Sequence, residues 1–331
     1  MTAAPPLAAW RAEFPILGNT TYLISNSLGA MPRGAADALG RYTKAWAERG
    51  VRAWEEGWWE MPVAVGDRVA GLIGAPKGSV TMHQNVTLAE AVVLSCFEPG
   101  ARRDKVVFED GNFHSVQYLY AAQPGLVVTP VPVERLVDAI DERTLLVPVS
   151  HVLYKNAYVQ DVPAIVEKAH RVGARVVLDV YHAAGVLPLD VTALGVDFAV
   201  GGCLKWLCGG PGNAFLYVRP DLAHLAPRLT GWMGHAAPFA FEPPPIRRAE
   251  GPFRFLNDGS LIRVEPRKNL SCGIINIRHE YTNRTSSLEP VMMRAVQLYH
   301  FATTAFPLSP LPVRSFLAFS VRQLRFNKPS P

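Results

Sequence analysis

Between residues 60 and 220, short runs of β-branched and other apolar residues alternate with stretches whose apolar positions recur at helical spacing. The strand-like runs are SVTMHQ (79–84), DKVVFED (104–110), GLVVTPVPV (125–133), LLVPVSHV (145–152), ARVVLDV (174–180), VDFAVGG (196–202) and NAFLYV (213–218). Between them VTLAEAVVLSCF (86–97), VERLVDAIDERT (133–144) and DVPAIVEKAHRVG (161–173) predict helices, the last stopped by Gly173. Strands joined by helical crossovers form an α/β domain with a mostly parallel sheet covered by helices on both faces. In such sheets ligands collect at the carboxyl ends of strands. The chain contains no internal repeat.

From about residue 260 the pattern stops. The tail sustains neither a helical nor an alternating period, and prolines interrupt its last third. Charge divides at the same place. Of 33 Lys/Arg and 28 Asp/Glu in the 331 residues, residues 260–331 hold ten basic and three acidic, so the net charge of +5 belongs to the tail. The main body carries no aromatic-basic interleaving, so nucleic acid is not an expected partner. No apolar stretch reaches the roughly 18 to 20 residues a membrane span requires, and MTAAPPLAAWRAEFP lacks the basic-then-apolar order of a signal peptide. A cytoplasmic protein with no membrane partner is expected. Cys96, Cys203, Cys208 and Cys272 show no paired spacing and no nearby histidine pair, so they read as free thiols rather than as a metal site.

Lys205 stands alone in the apolar, glycine-ended run GGCLKWLCGGPG (201–212), where an unpaired ammonium is costly to bury. It is either a solvated surface lysine or a reactive amine whose glycines let backbone approach a ligand. Asp179 closes a strand and His182 follows three residues later; the carboxylate either faces a ligand or caps the next turn. A lysine and a carboxylate so placed suit pyridoxal phosphate. The cofactor takes an amine for its Schiff base, a carboxylate for its pyridine nitrogen, and a phosphate cradle. The helix opening in QNVTLAEA offers its N-terminal amides, with Asn85 and Thr87 as added donors or as an ordinary cap. Phe113 in EDGNFHS and Trp232 in LTGWMGH are candidates for ring stacking or for core packing.

The ordered series NSLGAMP (26–32), NF (112–113), SHVLY (150–154), DVYHAAG (179–185), VDFAVGGCLKWLCGGPG (196–212), GWMGH (231–235) and GPFRFLN (251–257) resembles kynureninase and its relatives. These belong to the class V aminotransferase-like branch of pyridoxal-phosphate enzymes with the aspartate-aminotransferase fold, fold type I. The resemblance covers about residues 14–257. It implies an N-terminal segment (1–30), a cofactor-binding large domain (31–257), and a tail (258–331) in place of the usual small domain. It implies a homodimer acting on a small amino acid, most directly the hydrolysis of L-kynurenine to anthranilate and alanine. Lys205 would carry the cofactor, Asp179 pair with its ring nitrogen, His182 sit close by, and Phe113 stack on the ring. Asn85 and Thr87 would lie by the phosphate, Asn26 and Ser27 at the substrate entrance, and Trp232 and Asn257 reach across the dimer.

Three positions depart from the family pattern. Leu204 stands where a tyrosine precedes the lysine, Val116 stands where an aspartate follows the stacking phenylalanine, and the tail has no counterpart of the small domain with its carboxylate-binding arginine. Arg263, Arg278 and Arg314 are substitutes among which the sequence does not choose, and the tail is expected to derive from a frameshift or truncation. Another class V activity, or a cofactor-fold remnant impaired in turnover, remains an alternative. A desulfurase is disfavoured, since Cys203 and Cys208 flank the lysine too closely for a mobile catalytic thiol.

Overall fold

The computed structural model describes residues 7–100 and 102–256. The tail, the expected boundary after residue 257, and Asn257 itself lie outside them. A short helix α1 (Leu7–Trp10) is followed by α2 (Arg33–Arg49) and α3 (Met61–Ile73). The layered part then runs β1 (Val80–His83), α4 (Val86–Leu94), β2 (Lys105–Glu109), α5 (His114–Ala121), β3 (Val127–Val131), α6 (Leu136–Ala139) and β4 (Thr144–Ser150). It ends with α7 (Val162–Val172), β5 (Arg175–Asp179), β6 (Phe198–Gly202) and β7 (Ala214–Val218). The strands form one sheet in the order β1-β7-β6-β5-β4-β2-β3, in which only β7 runs antiparallel to its neighbours. The six parallel strands therefore present their carboxyl ends on a single edge.

Side-chain alternation along the strands divides the core between the two faces. Val176, Leu178, Phe215 and Tyr217 pack with α3, α6 and α7. Val177, Phe198, Val200 and Leu216 pack with α4 and α5 on the other side. Helix α7 shows how sequence fixes an element. Asp161 accepts a hydrogen bond from the Ala164 N–H at 3.1 Å, Pro163 sits in the first turn, and Val162, Ile165, Val166 and Ala169 form the buried stripe. Gly173 ends it in the left-handed region at φ 79°.

The expected helix over 133–144 is shorter than its periodicity suggests. It is realised as a 3₁₀ turn (Val133–Arg135) and α6, and the chain turns extended at Ile140. Asp141 draws the chain out of the helix: its carboxylate accepts from the Arg143 N–H at 3.0 Å and from Lys105 Nζ at 2.8 Å. Helix α5, immediately after Phe113, is an element the pattern did not single out.

One buried carboxylate ties three segments at the amino end of the sheet. Asp197, fully buried, meets His170 Nε2 at 2.8 Å, Arg175 at 2.9 Å, Arg219 at 3.2 Å and the Val176 N–H at 2.8 Å. Removing the carboxylate leaves these donors facing one another without their shared acceptor. Asp197→Ala is expected to lower unfolding free energy by about 3 kcal/mol, the low end for breaking a buried ion pair because both arginines keep some solvent contact. Urea denaturation followed by circular dichroism measures it.

Candidate active site

Every predicted site residue within the described part, apart from Asn26, Ser27 and Trp232, follows the carboxyl end of a parallel strand: Asn85 and Thr87 after β1, Phe113 after β2, Asp179 and His182 at the end of β5, Lys205 after β6. Lys205 sits in the loop between β6 and β7. That loop is folded back on itself by bonds from the Gly209 N–H to the Cys203 carbonyl (2.7 Å), the Cys208 N–H to the Lys205 carbonyl (3.1 Å) and the Asn213 amide to the Gly209 carbonyl (3.0 Å). Gly210 and Gly212 take φ values of 73° and 83°, the turn geometry for which the glycine cluster was singled out.

The structure brings four of the predicted residues together. Lys205 Nζ shares a 2.7 Å hydrogen bond with His182 Nε2 and lies 5.7 Å from the centroid of the Phe113 ring. Asp179 is 8% exposed, and its Oδ1 accepts the Tyr181 N–H at 2.7 Å. Burial pushes the Asp179 carboxyl up to about 6, with the Tyr181 N–H and the charge of Lys205 opposing. Burial likewise depresses the Lys205 amine, against the pull of Asp179, and takes His182 down to about 4, with Lys205 adding to the effect. The amine is thus biased toward its neutral, nucleophilic form, with an acid-capable carboxyl as its electrostatic partner.

Asn85 caps α4, its Oδ1 accepting the Leu88 N–H at 2.8 Å, and Thr87 lies exposed in the first turn. One turn further along, Glu90 is buried close enough for the Asp179 charge to raise its carboxyl, after burial itself, so α4 enters the same edge as β5. Asn26 and Ser27 lie in a turn, the Ser27 N–H bonding the Ile24 carbonyl at 2.8 Å. Two residues later this segment docks on the lysine loop: the Gly29 N–H donates to the Leu204 carbonyl at 2.7 Å, and a Cβ on Gly29 would overlap the Lys205 carbonyl oxygen. Trp232 is 42% exposed and packs edge-on to Trp59 and Phe239 and flat against Phe241.

Several residues at this edge were not picked out by sequence reasoning. Glu109 ends β2, accepts the Ser150 N–H at 3.0 Å, and is raised to about 7 by burial. Asn112 donates to the Pro148 carbonyl at 3.0 Å and accepts the Phe113 N–H at 2.7 Å, so it fixes the start of α5 and with it the Phe113 ring. Tyr154 meets that ring edge-on at 5.2 Å, and the His151 N–H donates to the Asp179 carbonyl at 2.8 Å. Tyr181 places its ring centroid 4.6 Å from Lys205 Nζ. Tyr154, His151 and Tyr181 lie inside the quoted motifs; a polar residue closing a buried strand is the signal that marks Glu109.

The donor set fits pyridoxal phosphate. It holds an amine whose basicity burial lowers, a buried carboxyl on the adjacent strand, an aromatic ring beside the amine, and a capped helix N-terminus on the same edge. An α/β domain with that constellation is the large domain of a fold type I pyridoxal-phosphate enzyme.

The aminotransferase class-V family profile matches residues 21–236, and the chain belongs to that family; its cofactor is pyridoxal 5'-phosphate. It is similar to the kynureninase of Pseudomonas fluorescens, 36% identical over 261 residues, covering 73% of this chain and 62% of the relative. A Burkholderia pseudomallei kynureninase is 36% identical over 258 residues, covering 72% and 61%. The chain thus spans about three fifths of the length of these curated relatives. Among solved structures, a C-DES mutant with glycine covalently linked to the PLP cofactor aligns with TM-score 0.67 at 24% identity over 75% of this chain and 69% of that one. Cysteine desulfurase CsdA of Escherichia coli aligns with TM-score 0.66 at 21% identity, covering 77% and 68%. These structures establish the fold. No helix among the described residues is long and apolar enough to cross a membrane.

The raised Asp179 carboxyl has a consequence for the cofactor-free protein. A folded-state value of about 6 against an ordinary 3.8 means that the unfolded chain ionises first as pH rises, so stability falls between about pH 4 and 6 and stays lowered above. His182, depressed to about 4, acts in the opposite sense over about pH 4 to 6.5. Asp179→Asn keeps the acceptor for Tyr181 and removes the first effect alone. The variant is expected to be more stable than the parent at pH 7 by on the order of 1 to 3 kcal/mol, with the gain vanishing near pH 4. Denaturant melts of both proteins at the two pH values measure it.

Proposed function

We propose that the chain is a kynureninase-like enzyme that hydrolyses L-kynurenine to anthranilate and alanine. The observation that carries this reading is the amine of Lys205, held at 2.7 Å from His182 and electrostatically coupled to buried Asp179, in a chain 36% identical to a kynureninase over 261 residues. Bound pyridoxal phosphate supplies an electron sink for negative charge developing at the substrate Cα.

This chain's residues divide the remaining work. Lys205 Nζ would be the covalent anchor and the base that moves the Cα proton, a role that burial favours by lowering the amine's basicity. His182 Nε2 holds that amine in position. Asp179 would pair with the ring nitrogen, a task its burial would strengthen. Phe113 offers its face to the ring, and the N-terminus of α4, with Asn85 and Thr87, is the place for the phosphate. Asn26 and Ser27, on the segment docked against the lysine loop, are positioned to line the substrate's approach. A homodimer, in which Trp232 and Asn257 reach the neighbouring site, and a cytoplasmic location belong to the same proposal, as does the division into segments 1–30, 31–257 and 258–331.

Borohydride reduction of the cofactor-loaded protein should fix pyridoxal phosphate on the peptide containing Lys205, as read by mass spectrometry. Added kynurenine should release anthranilate, followed by its fluorescence, and Lys205→Ala should lower that rate by about 10²- to 10⁴-fold, the usual range for loss of a positioned proton-transfer group. A loaded protein that releases no anthranilate would direct the assignment to another class V reaction.

A further inference from the structure

Tyr181 lies two residues past Asp179 and has no part in the roles above. Three features fix its side chain. Its N–H is held by Asp179 Oδ1 at 2.7 Å, its ring packs beside the core on the α4 and α5 side of the sheet, and its phenol end rests where a Cβ on Gly202 of β6 would overlap it. So seated, the ring centroid is 4.6 Å from Lys205 Nζ, closer than the 5.7 Å of Phe113. Phe113 comes from the loop after β2 and Tyr181 from the turn after β5, so the amine has two aromatic rings from separate segments within reach. Burial lifts the Tyr181 phenol, with Asp179 and Cys203 adding to it, so the ring stays neutral through the physiological range.

We propose that Tyr181 is a second aromatic wall of the cofactor slot, its ring face packing against the pyridine ring of pyridoxal phosphate carried on Lys205. This rests on the reading of Lys205 as the cofactor's anchor. A planar ring joined to Nζ begins one bond from a point within cation–π range of both centroids, and a neutral, electron-rich phenol face is well matched to a protonated, electron-poor pyridine. Glycine at 202 makes the arrangement possible, because any larger residue there would displace the phenol.

The test is the dissociation constant of pyridoxal phosphate, from equilibrium dialysis, together with the visible spectrum of the bound form. Tyr181→Phe, which keeps the face, should bind within about twofold of the parent. Tyr181→Leu and Tyr181→Met, which keep apolar bulk without the face, should bind about five- to tenfold more weakly at unchanged melting temperature of the cofactor-free protein. Gly202→Ala leaves Tyr181 intact but moves its ring, and should weaken binding in the same direction. Parent-like affinity in the Leu, Met and Ala variants overturns the proposal, as does a Phe variant as weak as the Leu variant. A parent protein that binds no pyridoxal phosphate overturns instead the anchoring role of Lys205.

Discussion

The site depends on placing an amine and a carboxyl in the same water-poor edge of the sheet, Lys205 after β6 and Asp179 at the end of β5. In water the two would simply be charged. Here burial acts on both, lowering the amine and raising the carboxyl to about 6, while each opposes the other's shift. The outcome is an amine that holds its proton less tightly, and a carboxyl that holds its proton more tightly, than either would in water, which brings their proton affinities closer together.

Such a pair requires a rigid frame, because an amine that could swing into solvent would recover its ordinary basicity. The frame is the parallel sheet, whose adjacent β5 and β6 fix the spacing of the two chain segments. The lysine loop is closed by its own backbone bonds and clamped from outside by the Gly29 N–H on the Leu204 carbonyl. That clamp gives the N-terminal segment a structural reason to sit at the site. It also gives Leu204 a backbone function independent of its side chain.

The mostly parallel sheet and the residues at its carboxyl edge were legible because each strand reads as a short apolar run and each of these site residues follows one; the strand order and the reversed β7 were not. Lys205 was legible for the opposite reason, as the lone charge in an apolar stretch. Tyr181 was not, since an aromatic residue beside a buried strand has the same appearance whether it fills the core or walls a slot; only the 4.6 Å distance to Nζ distinguishes them. The early end of the helix at Ala139 was hidden because apolar periodicity continues through Ile140, while the competing interaction, Lys105 with Asp141, joins residues 36 apart in sequence. Trp232, expected to reach across a dimer, has Trp59, Phe239 and Phe241 as neighbours within its own chain.

Behind Lys205 the edge is more acidic than its sequence suggests. Glu90, Glu109 and Asp179 are all buried, burial is the first cause of each carboxyl's raised pKa, and the charges of Asp179 and Glu109 raise Glu90 further. Burial holds all three toward the neutral form, in which a carboxyl can donate as well as accept a hydrogen bond. Asp179 differs in having Lys205 opposite it. A cationic nitrogen arriving beside Asp179 would favour its ionised form, as the charge of Lys205 already does.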